Sequence, residues 1–240
     1  MSVLGLRLAG PLQSWGASAR FTRRTTESAP TKSAVIGMLA AAVGIERGDD
    51  TRLAPLTDLR FAVRIDQPGT RLRDFQTAHH GASGKSMPLS ERFYLADAVF
   101  VAAVEGDPTL LAGLHAALRN PVYAPFLGRR SCPPALPVDL GLHDGTSLMQ
   151  VLSEVPWQAS AWYRRQHRDR ADIELTVLRE ADDDEAEFAD TFRDQPISYA
   201  AEHRRHALRA VVSDSVRLTV PSAGQLPRHD PFDALTEESA

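Results

Sequence analysis

The sequence contains little from which a disulfide bond, a metal site or a membrane anchor could be built. Cys132 is the only cysteine among 240 residues, which excludes an internal disulfide bond and a zinc site made of cysteines. No apolar run reaches the roughly 18 residues that cross a bilayer. The amino-terminal segment also has no basic stretch followed by a long apolar core, as a signal peptide would. These absences predict a cytoplasmic protein without a membrane segment.

Lysine is almost absent, since Lys32 and Lys85 leave 25 of the 27 basic residues as arginine. Codon bias is the simpler explanation of this excess, although arginine also binds phosphates bidentately and stacks on bases. The net charge of −4 argues weakly against a nonspecific nucleic-acid binder. Basic residues nevertheless predominate in residues 1–45, whereas acids concentrate in 180–190 and after 230. This segregation is compatible with a polyanion bound to one face.

The hydrophobic pattern predicts an α+β protein with a buried core. Apolar residues make up 43% of the chain, which suffices for one large domain or two small ones. The predicted order is strand, helix, strand, protruding hairpin, strand, helix, and one further strand would complete a ferredoxin-like or RRM-like βαββαβ fold. Strands are predicted at 3–8, 58–65, 71–77, 91–95 and 97–104, and helices at 31–45 and 108–119.

The domain prediction follows from this order. Residues 1–140 form an RRM-like unit, from which a hairpin thumb projects at about 71–95. Residues 141–227 form a β-rich extension packed on the same domain, which either extends the sheet or builds a smaller lobe. Residues 228–240 are predicted to form a flexible acidic tail.

Signatures of common enzyme classes are missing. The sequence TKS at 31–33 resembles the end of a phosphate-binding P-loop, but the preceding loop lacks the glycines of the GxxxxGK[ST] cradle. No HExxH, GxSxG or strand-linked GxGxxG occurs. Cys132 is best explained as a small packed thiol. His203 and His206 would share a face only on a helix, and a solvated basic face is the simpler interpretation. No cofactor, metal or small-molecule substrate is predicted.

One histidine pair leaves a catalytic alternative open. His79 and His80 lie at the hairpin tip with Lys85, and Tyr94 follows in the returning strand. Such side chains can act as general acid and base in metal-free RNA cleavage. A polar tip that contacts a phosphate or a partner protein is the simpler interpretation.

Clusters of basic residues suggest RNA binding. Arg23 and Arg24 follow the first strand, and Arg129 and Arg130 lie in a proline-flanked loop after the second helix. In a βαββαβ fold these two loops can meet and form a groove. Lys32 and Ser33 lie at a predicted helix amino terminus, where free amides and the dipole favour a phosphate.

Aromatic residues add a second signal. Trp15, Phe21 and Phe75 could stack on unpaired bases, although each is individually more typical of a core position. The spaced aromatics of the standard RRM surface are absent, so RNA would not bind across the sheet in the usual way.

Three sequence blocks resemble the Cas-five family of CRISPR-associated proteins, a branch of the RAMP superfamily of RRM-like proteins, and above all its type I-E member. They are LRLAGPLQSWG at 6–16, PTKSAVIGMLAAAVGI at 30–45 and PVYAPFLGRRSCPPALP at 121–137. The resemblance covers most of the first 140 residues. It implies a non-catalytic subunit of a type I-E Cascade complex that caps the repeat-derived 5′ handle of crRNA.

The same resemblance implies two protein partners: the large subunit that recognises the PAM, and the terminal copy of the backbone subunit. Target DNA near the PAM would be reached only indirectly. In the related type I-C branch the Cas-five protein is a metal-independent endoribonuclease with a tyrosine, lysine and histidine set, and that set has no clear match here. A pure protein-interaction module is the third hypothesis. The predicted RNA-binding residues are Ser14, Trp15, Arg23, Arg24, Lys32, Ser33, Gln76, His79, His80, Lys85, Gly128, Arg129, Arg130 and Ser131.

Overall fold

A computed structural model describes residues 1–16 and 22–220, which form two β-sheets and five α-helices. The strands are β1 Ser2–Ala9, β2 Leu12–Gln13, β3 Arg23–Arg24, β4 Arg60–Gln67, β5 Thr70–Gln76, β6 Ser90–Ala96, β7 Val99–Gly106, β8 Asp139–Asp144, β9 Asp172–Glu180, β10 Asp190–Ser198 and β11 Arg205–Thr219. The helices are α1 Lys32–Ala42, α2 Asp50–Thr57, α3 Pro108–Arg119, α4 Leu148–Glu154 and α5 Ala161–Gln166.

The larger sheet has seven antiparallel strands in the order β10-β11-β9-β4-β7-β1-β8. Because side chains alternate along a strand, β1 directs Leu4, Leu6 and Leu8 into one core and Val3 into another. The first core contains apolar residues of α1, α2 and α3, and the second contains residues of α4. Strand β9 pairs with β4, so the carboxyl-terminal strands extend this sheet.

Both edges of the larger sheet depart from regular pairing. The register of β10 against β11 shifts twice, once beside Pro196. At the opposite edge the pairing of β8 with β1 shifts between Leu4 and Leu6. Gly141 lies in that irregular stretch with a φ of 101°, a backbone conformation that favours glycine.

The smaller sheet is built around the β5–β6 hairpin, which pairs continuously from Thr70↔Ala96 to Gln76↔Ser90. Strands β2 and β3 pair with β6 along its other edge. Gly69 precedes the hairpin with a φ of 72°, and a β-carbon there would lie 2.5 Å from the carbonyl oxygen of Ala96. A β-hairpin therefore spans the segment predicted as the thumb at 71–95, and two short strands that follow β1 pair along β6.

Helices α1 and α3 agree with their predicted positions. The apolar run of α1 is buried on most sides, and α3 begins at Pro108 with the Asp107 carboxylate accepting a 2.9 Å hydrogen bond from the Leu110 amide. The sequence pattern did not predict α2, α5 and β10. Pro55 inside α2 and Pro196 inside β10 obscure the signals of regular structure. His203 and His206 do not lie on a helix, because β11 begins at Arg205. Within residues 1–16 and 22–220, no helix has the length and hydrophobicity needed to cross a membrane.

Candidate nucleic-acid interface

The loop at 127–132 is a closed turn packed against the segment that follows β1. The Leu127 amide donates to the Cys132 carbonyl over 2.7 Å, and the Cys132 amide donates to the Arg129 carbonyl over 2.9 Å. The Ser14 amide donates to the Leu127 carbonyl over 3.1 Å, which joins the two loops. Cys132 is buried, as predicted for a packed thiol, and burial raises the pKa of its thiol. The hydrogen bonds of this turn hold the backbone from which the Arg129 side chain extends.

Arg129 connects the two predicted arginine loops. Its Nη2 donates a 2.9 Å hydrogen bond to the carbonyl oxygen of Arg24, and its guanidinium lies 4.7 Å from the ring centroid of Tyr94. Its Nη1 is buried without a hydrogen-bond partner among the residues that the structure describes. The loop after β1 and the loop after α3 thus come together, as the sequence predicted, and one donor of Arg129 is uncommitted.

Arg92 extends this group from the hairpin. Register pairs Arg24 with Arg92 across β3 and β6, and alternation along β6 places Arg92 on the same face as Tyr94. The Nε of Arg92 is also buried and unpartnered within the described part of the chain. We call Arg24, Arg92, Tyr94 and Arg129 the arginine pocket. An uncompensated guanidinium donor is costly to bury, so we treat these residues as the candidate site for an anionic ligand.

The opposite face of the small sheet carries arginines layered on aromatic rings. The guanidiniums of Arg23 and Arg71 lie 5.4 and 5.9 Å from the ring centroid of Phe93, and that of Arg73 lies 4.7 Å from that of Phe75. Arg73 also pairs with Glu91. The sequence reasoning missed Arg71, Arg73 and Arg92. The alternating arginines of TRLRDFQ were the signal that could have identified the first two, because alternate residues of a strand share a face.

Trp15 and Ser14 were predicted to bind RNA, but both are buried. Trp15 is 1% exposed and belongs to the first core, where its indole nitrogen donates to the Gln13 side-chain oxygen over 3.1 Å. The Ser14 hydroxyl donates to the carbonyl oxygen of Phe93 over 3.1 Å. The expectation that Trp15 stacks on a base is therefore wrong, because its ring faces the core. Phe75 is 51% exposed, and Phe21 lies outside the described residues.

Lys32 and Ser33 are also buried rather than presented to a ligand. The Lys32 Nζ lies 2.8 Å from the Glu180 carboxylate, and its backbone amide donates to Asp194 Oδ2 over 2.8 Å. Burial lowers the pKa of Lys32 despite the nearby carboxylates. The carbonyl of Ser33 accepts a hydrogen bond from the Tyr199 hydroxyl. The prediction of a phosphate site at the start of α1 is wrong, because the Asp194 carboxylate already accepts a hydrogen bond from the amino terminus of the helix.

The hairpin tip is exposed and separated from Tyr94. His79 forms an isolated bridge with Ser86, and the His80 amide donates to the Lys85 carbonyl over 2.9 Å. Tyr94 pairs with Leu72, seven residues before His79, so at about 3.3 Å per residue it lies roughly 20 Å away. The four side chains of the catalytic alternative do not form one site.

The remaining predicted residues lie at or near the surface. Gln76 is half-buried at the end of β5, and its carbonyl accepts a 3.3 Å hydrogen bond from the Ser90 hydroxyl. Arg23, Arg24, Arg130 and Ser131 are exposed, and Gly128 is half-buried. The structure thus places Arg23 and Arg24 beside Glu91 and Arg92 of β6, next to the Ser90 that pairs with Gln76. Arg129 of the 128–131 loop reaches the same part of the hairpin, whereas His79, His80 and Lys85 lie further along it at the tip.

The described part of the chain combines a seven-stranded antiparallel sheet with a hairpin that carries Arg71, Arg73 and Arg92. The chain belongs to the family described as CRISPR-associated protein (Cas_Cas5), whose model matches residues 3–212. The sequence resemblance to this family is thereby confirmed.

Relatives with defined names agree with this assignment. The "CRISPR system Cascade subunit CasD" of Escherichia coli (strain K12) is 37% identical over 158 residues, which are 58% of this chain and 70% of that protein. A structure titled "CRISPR RNA-guided surveillance complex" contains a chain that is 32% identical with a TM-score of 0.70, covering 92% of this chain and 94% of that one. Another, titled "Crystal structure of Cas protein", is 34% identical with a TM-score of 0.67, covering 92% and 95%.

Proposed function

We propose that this chain is the non-catalytic crRNA-binding subunit of a type I-E Cascade complex, acting in antiviral defence. It caps the repeat-derived 5′ handle and links the PAM-recognising large subunit to the terminal backbone subunit. Family membership and the names of the two relatives support the complex. The observation that carries the RNA role is the arginine pocket, where two buried guanidinium nitrogens have no partner among the described residues.

The order of four neighbouring strands supports the finer fold assignment. Strands β8, β1, β7 and β4 are adjacent in that order, with α1 after β1 and α3 after β7. This is the connectivity of a ferredoxin-like βαββαβ unit. The predicted boundary at residue 140 would fall within β8, so the RNA-binding domain with its hairpin extends to Asp144. The described residues that follow, up to 220, form the extension on the same domain, and the predicted tail at 228–240 lies outside the described residues.

The geometry of the pocket suits a phosphate group. Arg129 uses one nitrogen to bind the Arg24 carbonyl, which orients the guanidinium and leaves the buried Nη1 without an acceptor among the described residues. Tyr94 supports the same guanidinium from its ring face. Charge-assisted hydrogen bonds to phosphate are stronger than neutral ones. On the other face, the exposed ring of Phe75 is available to an unpaired base.

The test is co-expression of the chain with its candidate Cascade partners and a CRISPR array, followed by sequencing of the 5′ ends of the co-purified RNA. Wild type, the Arg129→Glu/Arg130→Glu variant and the control Arg52→Glu are compared, since Arg52 is exposed on α2 away from the hairpin. We expect wild type and control to retain RNA that begins with a fixed repeat-derived handle, and the double variant to lose it. If wild type and both variants retain RNA with the same 5′ end and in the same yield, the arginine pocket is not the binding site of the handle.

Metal-independent cleavage of repeat RNA is the alternative function. It is favoured only by the proximity of His79, His80 and Lys85 at the hairpin tip. Repeat RNA incubated with the chain in EDTA should stay intact. Discrete products that disappear in a His79→Asn/His80→Asn variant would establish the alternative.

A further inference from the structure

A second basic surface lies on the short helix α5 and the turn that follows it. Residues 161–171 contain four arginines and one acid, Asp169. Arg165, Arg168 and Arg170 are exposed, Arg164 is half-buried, and Trp162 is 45% exposed beside them. We call residues 161–171 the α5 surface.

An aromatic cluster under this segment gives the arginines a fixed support. The ring of His167 lies 4.9 Å from that of Tyr163 and 5.7 Å from that of Trp157, which is buried in the second core. Hydrogen bonds from the His167 and Arg170 amides, to the Arg164 and His167 carbonyls over 3.0 and 3.1 Å, continue the turn beyond the helix. The segment packs through its aromatic side, which leaves Arg165, Arg168 and Arg170 exposed.

The α5 surface is connected to the base of the hairpin through one side chain. The oxygen of Gln67 accepts hydrogen bonds from the amide and hydroxyl of Ser160, over 3.1 and 2.8 Å, and its nitrogen donates to the Asp97 carbonyl. Ser160 caps α5, and Asp97 directly follows β6. The α5 surface and the hairpin therefore meet at the same end of the sheet.

The charges of this surface are poorly compensated. Within the described residues, the one ion pair of the segment joins Arg168 to Asp169 at 3.8 Å, where both side chains are largely exposed. The Nε of Arg164 is buried, and no described residue accepts its hydrogen bond. Arg164 and Arg165 lie in the last turn of α5, where positive charges interact favourably with the helix dipole. Arg168 and Arg170 lie beyond the helix, so the dipole does not explain their presence.

We propose that the α5 surface binds single-stranded RNA and continues the path of the RNA bound at the arginine pocket. The inference rests on the proposed function. Exposed arginines beside an exposed tryptophan are the combination that binds a flexible strand, since the cations contact phosphates and the indole stacks on a base. In a duplex the bases are already stacked, so Trp162 favours a single strand.

The experiment uses the whole co-expressed complex. Ribonuclease-protected RNA from wild type is compared with that from the Arg165→Glu/Arg168→Glu/Arg170→Glu variant and from Trp162→Ala. Ultraviolet crosslinking then maps the peptides that are joined to RNA. We expect wild type to crosslink within 161–171, and the triple variant to lose that crosslink and several protected nucleotides while keeping the handle at the 5′ end.

The outcomes separate this inference from the function on which it rests. Loss of the handle from the Arg129→Glu/Arg130→Glu variant, with an unchanged footprint in both α5 variants, would overturn the α5 proposal alone. Retention of a protected handle by a complex that lacks the chain would overturn the proposed function.

The same variants distinguish RNA from two rival occupants of the α5 surface, a protein subunit and residues 221–240. Loss of a protein subunit from the triple variant with its RNA footprint intact would identify a protein-docking surface and overturn the proposal. Residues 221–240 are a rival because the Val220 amide donates to the Ala171 carbonyl over 2.8 Å, and four acids follow against one arginine. The triple substitution is therefore also made in a chain that lacks residues 221–240. If it alters the footprint only in the chain that retains this segment, the segment is the occupant and the RNA proposal fails.

Discussion

Gly128 and Ser14 approach so closely that a β-carbon on residue 128 would lie 1.8 Å from the Ser14 carbonyl oxygen. The φ of Gly128 is also 81°, which disfavours any other residue. Gly128→Ala must therefore displace the loop, and we expect it to lower stability by at least about 1–3 kcal/mol.

Thermal unfolding measures this effect, and Gly145→Ala is the matched control. Gly145 has a φ of 66°, but nothing lies within 4 Å of its β-carbon position, so that variant bears the conformational cost without the clash. Gly128→Ala should unfold at a lower temperature than the control and retain less RNA. Equal unfolding temperatures would show that the two loops separate at little cost.

The buried Asp194 carboxylate is expected to be a major source of stability. It accepts hydrogen bonds from Arg209 Nε and Nη2, over 2.9 and 2.8 Å, and one from the Lys32 amide. Asp194→Ala leaves a buried arginine and a helix terminus without their anion, which should cost about 3–5 kcal/mol. Denaturant unfolding of this variant is compared with Asp190→Ala, an exposed position of the same strand. A loss no larger than that of the control would contradict the assignment.

His206 should make stability depend on pH in a defined window. Burial lowers its pKa in the folded protein from 6.5, and the nearby charge of Arg204 acts in the same direction. The unfolded chain therefore binds the proton more readily, so stability is full above pH 6.5 and declines as the pH falls below that value. His206→Asn should lose less stability than wild type between about pH 7.5 and 5.5.

The control for this prediction is His203→Asn. His203 is exposed three residues earlier, so its replacement should leave the wild-type pH dependence intact. Parallel unfolding curves for all three proteins at both pH values would rule out His206 as the group responsible.

RNA affinity should decrease with salt in proportion to the phosphates bound. Each phosphate contact contributes a log–log slope of roughly 0.7 for a single strand. Arg92→Gln should reduce the slope by about that amount, whereas Arg52→Gln should not change it. Filter binding of handle RNA between low and moderate salt provides the measurement. An unchanged slope for Arg92→Gln would exclude Arg92 from phosphate contact.

Much of the main sheet was predictable because its elements have strong local patterns. Strands β1 and β7 are apolar and β-rich, and α3 has proline at its start and Asn120-Pro121 after its end. Helix α2 and strand β10 were missed because each contains a proline, which lowers the local propensity for regular structure. Tertiary packing stabilises these two elements instead. The sequence therefore predicts elements well where one local signal dominates.

The candidate site was predicted in part for a related reason. The meeting of Arg24 and Arg129 followed from the expected topology. The burial of Lys32 did not, because its partners Glu180 and Asp194 are distant in the chain and enter through the carboxyl-terminal strands. Arginines on the hairpin were overlooked because a strand that is exposed on both faces has no hydrophobic pattern to fix its orientation.

The irregular edges of the seven-stranded sheet have a consequence for the isolated chain. An exposed, regular edge strand is a template onto which another chain can add by hydrogen bonding, and this is a common start of aggregation. Here the edge strand β10 contains Pro196, which has no amide hydrogen, and the edge strand β8 is distorted beside Gly141. Both described edges of this sheet are therefore poor templates for strand addition by other copies of the chain.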